Sequence, residues 1–340
     1  MIEISVLIAI IISFVVTFFG LASWIVKCRK VNLVWEDMNK FGKPKNVAGS
    51  GGIIVLIGFL LGVLVYIAIR TFFKNNLDLG TVNVTLQIFA LLTVITIAGI
   101  AGLVDDFLGW HHGGLSAKVR ILLAIVAAIP LIVINAGESS ISIPFLGTVN
   151  LGWIYPLILI PVAIAATTTV YNFLAGFNGL EAGLGVLVVG FLSYVAYSTG
   201  SAWLGLVGLC MVASLFAFWI FNRTPAKVFP GDVLTYSVGA LIGTMAILGN
   251  FEKIAVIVFI PFIIEMILKT RGGMKPPRKQ SFGIPQKDGS LKLPYDKIYG
   301  LTHFSIWFLS KFKKKVYEND VVYFIYLIQF IFIIIGLFMM

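Results

Sequence analysis

The sequence predicts an all-α polytopic membrane protein. It should have about ten transmembrane helices, both termini extracytoplasmic, and a short hairpin and an amphipathic helix in the last cytoplasmic loop. Three observations predict this class. Of 340 residues, 59% are hydrophobic and only 12% charged, about half the ~25% charge of a soluble domain. The mean hydropathy is +1.01. Lys and Arg also fall almost entirely in alternate loops. Such a chain cannot cover itself with a charged shell, which excludes an ordinary cytosolic enzyme, and it is too apolar for a disordered protein. Cys28 and Cys210 form no CxxC or zinc spacing and read as packing residues.

A membrane helix needs roughly 20 apolar residues, because backbone polar groups cannot stay unpaired in lipid. Ten candidate runs stand out, several of them short and expected to extend a turn into flanking polar residues: Ile4–Val26, Gly51–Ile69, Val84–Val104, Val119–Ile134, Leu151–Val170, Gly183–Tyr197, Ala202–Phe221, Val233–Leu248, Ile254–Leu268 and Val321–Met340. The first is preceded by Glu3 and is long for a leader, so it reads as a retained helix. No internal repeat or soluble domain stands out, and residues 1–340 read as one integral-membrane domain with a cytoplasmic loop at about 269–320.

Charge sets the orientation. The odd-numbered loops hold 22 of the 25 Lys and Arg, twelve of them between Lys269 and Lys315; the even loops hold Arg70, Lys74 and Lys253. Odd loops are therefore expected to be cytoplasmic. The net charge of +10 is then a topology signal and not a nucleic-acid footprint. In the last odd loop, Ile284 to Leu293 reads as a hairpin with an Asp288-Gly289 turn. Ile298 to Tyr317 mixes aromatics with Lys311, Lys313, Lys314 and Lys315, as an interfacial helix does and as a plain basic flank also does.

The polar motifs share the cytoplasmic side. They are Asp105-Asp106-Phe-Leu-Gly109, Tyr171-Asn172-Phe-Leu-Ala175-Gly-Phe-Asn178-Gly179-Leu-Glu181, Phe221-Asn222-Arg223-Thr-Pro-Ala-Lys227-Val-Phe229-Pro-Gly231-Asp232, and Lys275-Pro-Pro-Arg278-Lys279-Gln280. Asp37-Met-Asn39-Lys40 lies in the first loop. Adjacent carboxylates need a cation or a shared proton. Asp105, Asp106, Asp232 and Asn172 offer hard oxygens, which suit Mg²⁺ better than zinc. Taken singly, each motif has a plain structural reading: a helix cap for Asp232, a turn for Asn178-Gly179, a lipid anchor for Phe229, topology charge for Arg278. Four oxygen-rich motifs on one face of a charge-poor chain outweigh those readings. His111, His112 and His303 read as structural.

The set DDFLG, YNFLAGFNGLEAG and FNRTPAKVFPGD resembles the polyprenyl-phosphate N-acetylhexosamine-1-phosphate transferases. The likeness is strongest to the archaeal and eukaryotic branch that makes dolichyl-diphosphate N-acetylglucosamine. Ala175 and Asn178 stand where bacterial relatives have Asp, and Asp37 to Lys40 matches that branch's D-x-N-K. The resemblance runs from about Asp37 to Lys297. It implies ten spans, a cytoplasmic active site in a cell membrane (the endoplasmic reticulum if eukaryotic), and Mg²⁺ as cofactor with Mn²⁺ as a substitute. It implies transfer of N-acetylglucosamine 1-phosphate from UDP-N-acetylglucosamine to a polyprenyl or dolichyl phosphate, with release of UMP. By position, Asn172 and Asp232 resemble the metal ligands and Asp105 and Asp106 the essential acidic pair. Lys118 resembles the lysine that meets phosphate, Asn178 and Phe229 the uracil contacts, and Arg278 the first arginine of the P-R-x-R loop. Gln280 replaces the second arginine, and Lys45 stands near a family glutamate.

The expected partners are the two substrates and membrane lipid, with no nucleic acid, and a homodimer is compatible with the sequence. Another UDP-amino-sugar donor is the rival within the class. The triple histidine of the cell-wall pentapeptide transferases is missing around His303. A multi-pass transporter is the rival outside the class, but it would carry polar or broken segments at mid-membrane, where Glu265 is the one deep acid. The acceptor phosphate is mostly dianionic near neutral pH, so it hardly needs a base. Asp105 and Asp106 are expected to arrange metal and lysine. Direct attack on phosphorus is preferred to a covalent intermediate on Asp105.

Overall fold

A computed structural model describes residues 4–73, 79–143, 147–273 and 280–340. Arg278 and its neighbours from 274 to 279 lie outside the described residues. The long helices are α1 (Ile4–Lys30), α2 (Gly52–Phe73), α3 (Leu79–His112), α7 (Leu180–Ser198), α8 (Ala202–Asn222), α9 (Gly231–Gly249), α10 (Glu252–Arg271) and α12 (Glu318–Leu337). Between them lie the shorter α4 (Ala117–Ala127), α5 (Ile129–Val133), α6 (Ile160–Tyr171) and α11 (Leu301–Leu309). Seven helices among the described residues are long and apolar enough to cross a membrane: α1, α2, α3, α7, α8, α9 and α12.

One expected span is broken and another starts irregularly, each beside a proline. Proline lacks an N–H and clashes with the carbonyl four residues back. The run expected at Val119–Ile134 divides at Ala128, ahead of Pro130, into α4 and α5. The run expected at Leu151–Val170 begins with a π-helical turn, Tyr155–Leu159, carrying Pro156, and enters α6 at Pro161. The ninth run forms α10, which holds Pro261 in its interior.

The core is organised around α9. In its most apolar stretch 89% of residues are buried, against 28% for α1 and α12. It packs on α2, α3, α6, α7, α8 and α10. Its first turn therefore ends a helix that other helices hold on nearly every side, a rigid platform for Asp232.

The all-α expectation needs a small amendment. Among the described residues three two-stranded antiparallel hairpins join the helices: β1 (Val34–Glu36) with β2 (Lys45–Ala48), β3 (Ser140–Ile143) with β4 (Gly147–Asn150), and β5 (Ile284–Pro285) with β6 (Leu291–Lys292). The third is the expected hairpin, with Gly289 left-handed (φ 81°) in its turn. The first bears on function. Past β2, Phe229 N–H donates to Ala48 O (2.8 Å), and Gly51 and Gly52 N–H donate to Phe229 O and Pro230 O (both 2.9 Å). These bonds clamp the first loop onto the segment that leads into α9.

In the last loop α11 packs onto α10 and α12, with Leu301, His303 and Ile306 buried. Lys311 lies 3.7 Å above the Trp307 ring. Burial depresses the His303 imidazole to a pKa of about 4, so it stays neutral. Glu265 is a structural group: its Oε2 accepts Leu301 N–H (2.5 Å) at the start of α11, and Lys269 pairs with its other oxygen at 3.4 Å. Lys315 sits 2.8 Å from Asp288 and holds that carboxyl well below the usual carboxylate range.

Candidate active site

Four helix ends meet at one cavity of about 310 Å³, within the range of small-molecule sites. The last turns of α3 bring Asp106, the end of α6 brings Asn172, the first turn of α7 brings Glu181, and the first turn of α9 brings Asp232 and Thr235. The loop ahead of α7 adds Gly176, Phe177 and Asn178; Phe229, Phe282 and Trp35 supply aromatic wall. Five of the eight site residues expected from the sequence thus line one space: Asp106, Asn172, Asn178, Phe229 and Asp232.

The adjacent acids have different jobs. Asp106 Oδ1 accepts Asp232 N–H at 2.6 Å, and its Oδ2 lies 3.5 Å from Val233 N. It therefore satisfies free N–H groups at the start of α9, which a carboxylate does well at the positive end of a helix. Gly231, left-handed at φ 70°, permits this approach, since a Cβ there would strike Asp106 Oδ2. Gly102 lets α3 come close; a Cβ there would meet the Asp232 backbone. Asp105 is more enclosed, at 2% exposure. Its oxygens accept hydrogen bonds from Arg120 Nη2 at 3.0 Å, Leu115 N–H at 2.7 Å and Tyr236 OH at 3.1 Å, and Arg120 Nε pairs with it electrostatically at 2.6 Å. It does not line the cavity.

The basic partner differs from the expected one. Lys118 is exposed and lies off the cavity, whereas Arg120 meets Asp105. Positions two apart on a helix point about 200° apart, so α4 can aim only one of them at α3. The sequence did not reveal the phase of α4 after the Gly113-Gly114 turn. Gln280 is exposed, its N–H donating to Tyr295 OH at 3.1 Å.

Other contributors carried weaker signals. Thr235, one turn after Asp232, donates to Asn172 Oδ1 at 3.1 Å and fixes that amide against α9. Glu181 accepts Gly176 N–H at 2.8 Å, and its second oxygen is buried without a hydrogen bond. An acid at the mouth of an apolar run could have flagged it. Ser50 lines the cavity and hydrogen-bonds Asp106.

The electrostatics define what can bind. Glu36, Asp37, Asp106, Glu181 and Asp232 line the cavity, and no Lys or Arg does so among the described residues. Asp105 lies within hydrogen-bonding reach of Asp232, with Arg120 as their cation. An anion could enter such a space only with positive charge beside it. Among the described residues no three His, Cys, Asp or Glu side chains converge to hold a metal alone. The donors that do converge, the Asp232 carboxylate and the Asn172 amide oxygen, are hard oxygens, with Asp106 adjacent. That set fits Mg²⁺, which typically takes one or two carboxylates and leaves its other positions to water and substrate phosphate.

Comparison with known proteins agrees with this geometry. The pattern of Glycosyl transferase family 4 matches residues 88–250, the stretch that holds Asp105, Asp106, Asn172, Asn178 and Asp232. A relative from Saccharolobus solfataricus is 36% identical over 313 residues, covering 91% of this chain and 90% of its own. One from Sulfolobus acidocaldarius is 34% identical over 335 residues, covering 98% and 95%. The chain belongs to glycosyl transferase family 4. Both relatives carry the name of a UDP-N-acetylglucosamine–dolichyl-phosphate N-acetylglucosaminephosphotransferase. A Dictyostelium discoideum protein of that name is 27% identical over 307 residues, covering 79% of this chain and 69% of its own. As a family 4 member this chain is a sugar-phosphate transferring membrane enzyme, in agreement with the resemblance read from its motifs.

Proposed function

We propose that the chain transfers N-acetylglucosamine 1-phosphate from UDP-N-acetylglucosamine to a polyprenyl phosphate of the dolichyl type, releasing UMP. This is the first membrane step in building a lipid-linked oligosaccharide for protein glycosylation. The observation that carries the reading is the cavity itself: metal-fitting oxygens of Asn172 and Asp232 share it with Asn178 and Phe229, in a chain with two relatives named for this reaction. The seven long helices, with α4–α5, the Tyr155–Tyr171 segment and α10, make up the ten crossings of the proposed topology. Both termini are then extracytoplasmic and the site faces the cytoplasm, where UDP-sugars are made.

The chemistry follows from charge. An oxygen of the acceptor phosphate attacks the sugar-linked phosphorus of the donor. The bond from that phosphorus to the bridging oxygen breaks, and UMP leaves with the electron pair. The acceptor already carries the needed lone pair, so no strong base is required. The difficulty is two anions meeting in an acidic cavity. Asn172 and Asp232 would hold Mg²⁺, which supplies charge stabilisation to the donor diphosphate and the departing UMP. Asp106 holds the first turn of α9 in place, and Thr235 holds the Asn172 amide. Asp105, buried and bonded to Arg120, Leu115 and Tyr236, is badly placed to attack phosphorus. That supports direct transfer over a covalent intermediate on this residue.

A donor panel tests the reading. The full chain in lipid nanodiscs, given a prenyl phosphate and Mg²⁺, is expected to release UMP from UDP-N-acetylglucosamine. Release from UDP-N-acetylgalactosamine and UDP-MurNAc-pentapeptide should be at least about tenfold slower. Faster release from either of the latter would replace the proposed sugar.

A further inference from the structure

The first turn of α12 reaches the site from the far end of the chain. Glu318 is 3% exposed and meets four residues. It pairs with Lys40 and accepts Asn178 N–H at 2.9 Å; Thr224 Oγ1 lies 3.3 Å away and Asn39 Nδ2 3.5 Å away. Asp37, also buried, accepts Asn178 Nδ2 at 2.8 Å, and Glu318 Oε2 lies 3.4 Å from the same nitrogen. Asn39 ties the group together, donating to Gly176 O at 2.8 Å and accepting Gly283 N–H at 3.2 Å.

Two carboxylates therefore flank one end of the Asn178 carboxamide. An ionised carboxylate only accepts, so the amide end facing it must be the NH₂. That leaves Oδ1 as the end available to a ligand, and among the described residues no hydrogen bond is made to it. A carboxamide oxygen accepts a hydrogen bond and cannot donate one. Uracil offers a donor at N3–H. Cytosine has a lone pair at N3, which would face Oδ1 unfavourably.

We propose that Asp37 and Glu318 are positioning residues for base selection: by clamping the nitrogen end of Asn178, they leave its Oδ1 to accept the N3–H of uracil and so disfavour cytosine. This rests on the UDP-sugar reading above. It makes the D-x-N-K segment and the start of the last helix parts of the donor site, although Glu318 is 140 positions from Asn178 in sequence.

The test is nucleotide binding by calorimetry on the full chain in nanodiscs, with UMP, CMP and 3-methyl-UMP as probes. Wild type should bind UMP at least about tenfold more tightly than either analogue, since a buried acceptor left facing no donor costs that much or more. Glu318→Gln and Asp37→Asn each place a second NH₂ donor beside Asn178 and let its amide turn over. Each should shrink the UMP-to-CMP ratio by about tenfold. Glu318→Asp, which keeps an acceptor-only group, should retain more of the ratio than Glu318→Gln. Equal binding of UMP and 3-methyl-UMP by wild type would overturn the amide orientation, and that comparison needs no variant. An unchanged ratio in both amide variants, with UMP still bound, would overturn the clamp. Failure of wild type to bind UMP at all would count against the UDP-sugar reading instead.

Discussion

Asp232→Ala lowers the rate of UMP release by about 10³-fold or more, if the metal it would hold supplies several kcal/mol to the transition state. The side chain sits on the first turn of the most enclosed helix, beside Asn172 across the cavity. Its loss removes the carboxylate of the proposed ligand pair. The fold should tolerate the change, because Asp106 bonds the backbone N–H of residue 232 and not its side chain. Raising Mg²⁺ should recover little of the rate, since one ligand is gone. Near-normal turnover, measured in the same nanodiscs with thermal stability unchanged, would contradict the ligand assignment.

Arg120→Met is expected to be the most costly change to stability near the site. Asp105 is 2% exposed, and Arg120 engages both its oxygens. Removing one partner of a buried ion pair leaves an uncompensated charge, at a cost of about 3 kcal/mol or more. Turnover should also fall, by about 10²-fold, because Asp105 lies within hydrogen-bonding reach of Asp232 and its displacement disturbs the proposed metal ligand. Asp105→Asn in the Arg120→Met background should recover part of the lost stability, as it removes the orphaned charge. Lys118→Met, on an exposed residue off the cavity, should lose far less stability than Arg120→Met. Chemical or thermal denaturation of the four proteins reads this. Equal losses for the two α4 variants would show that Asp105 does not depend on Arg120.

Much of the site was legible because its motifs are local. Asn172 through Glu181 is one helix end, a tight loop and one helix start, and the chemistry of those residues announces itself over ten positions. Asp232 stands where an apolar run begins, and an acid there reads either as a cap or as a ligand. The structure gives the backbone contact to Asp106 and sets the Asp232 carboxylate at the cavity wall, within reach of Asp105. Four things were not legible. The choice of Arg120 over Lys118 depends on helical phase after a glycine turn, which composition does not encode. The break at Ala128 and the π-turn at Tyr155–Leu159 depend on how each proline is accommodated; Pro261 sits inside the α10 helix without ending it. Glu318, three residues ahead of the last apolar run, carries no motif in the sequence. Its partners, Asn178, Lys40 and Thr224, come from three separate loops, and only the packed bundle brings them together. The β1–β2 hairpin was missed because its strands are three and four residues long and are interrupted by polar turns.

In the proposed reaction Asn172 and Asp232 would hold a divalent cation against the donor diphosphate. Crystals of the full chain grown with UDP-N-acetylglucosamine and Mn²⁺, measured at the manganese edge, test it most directly. One anomalous peak is expected between Asn172 Oδ1 and the Asp232 carboxylate, touching the diphosphate. Donor bound in the cavity with no peak there, or with the ion held by other residues, would contradict it.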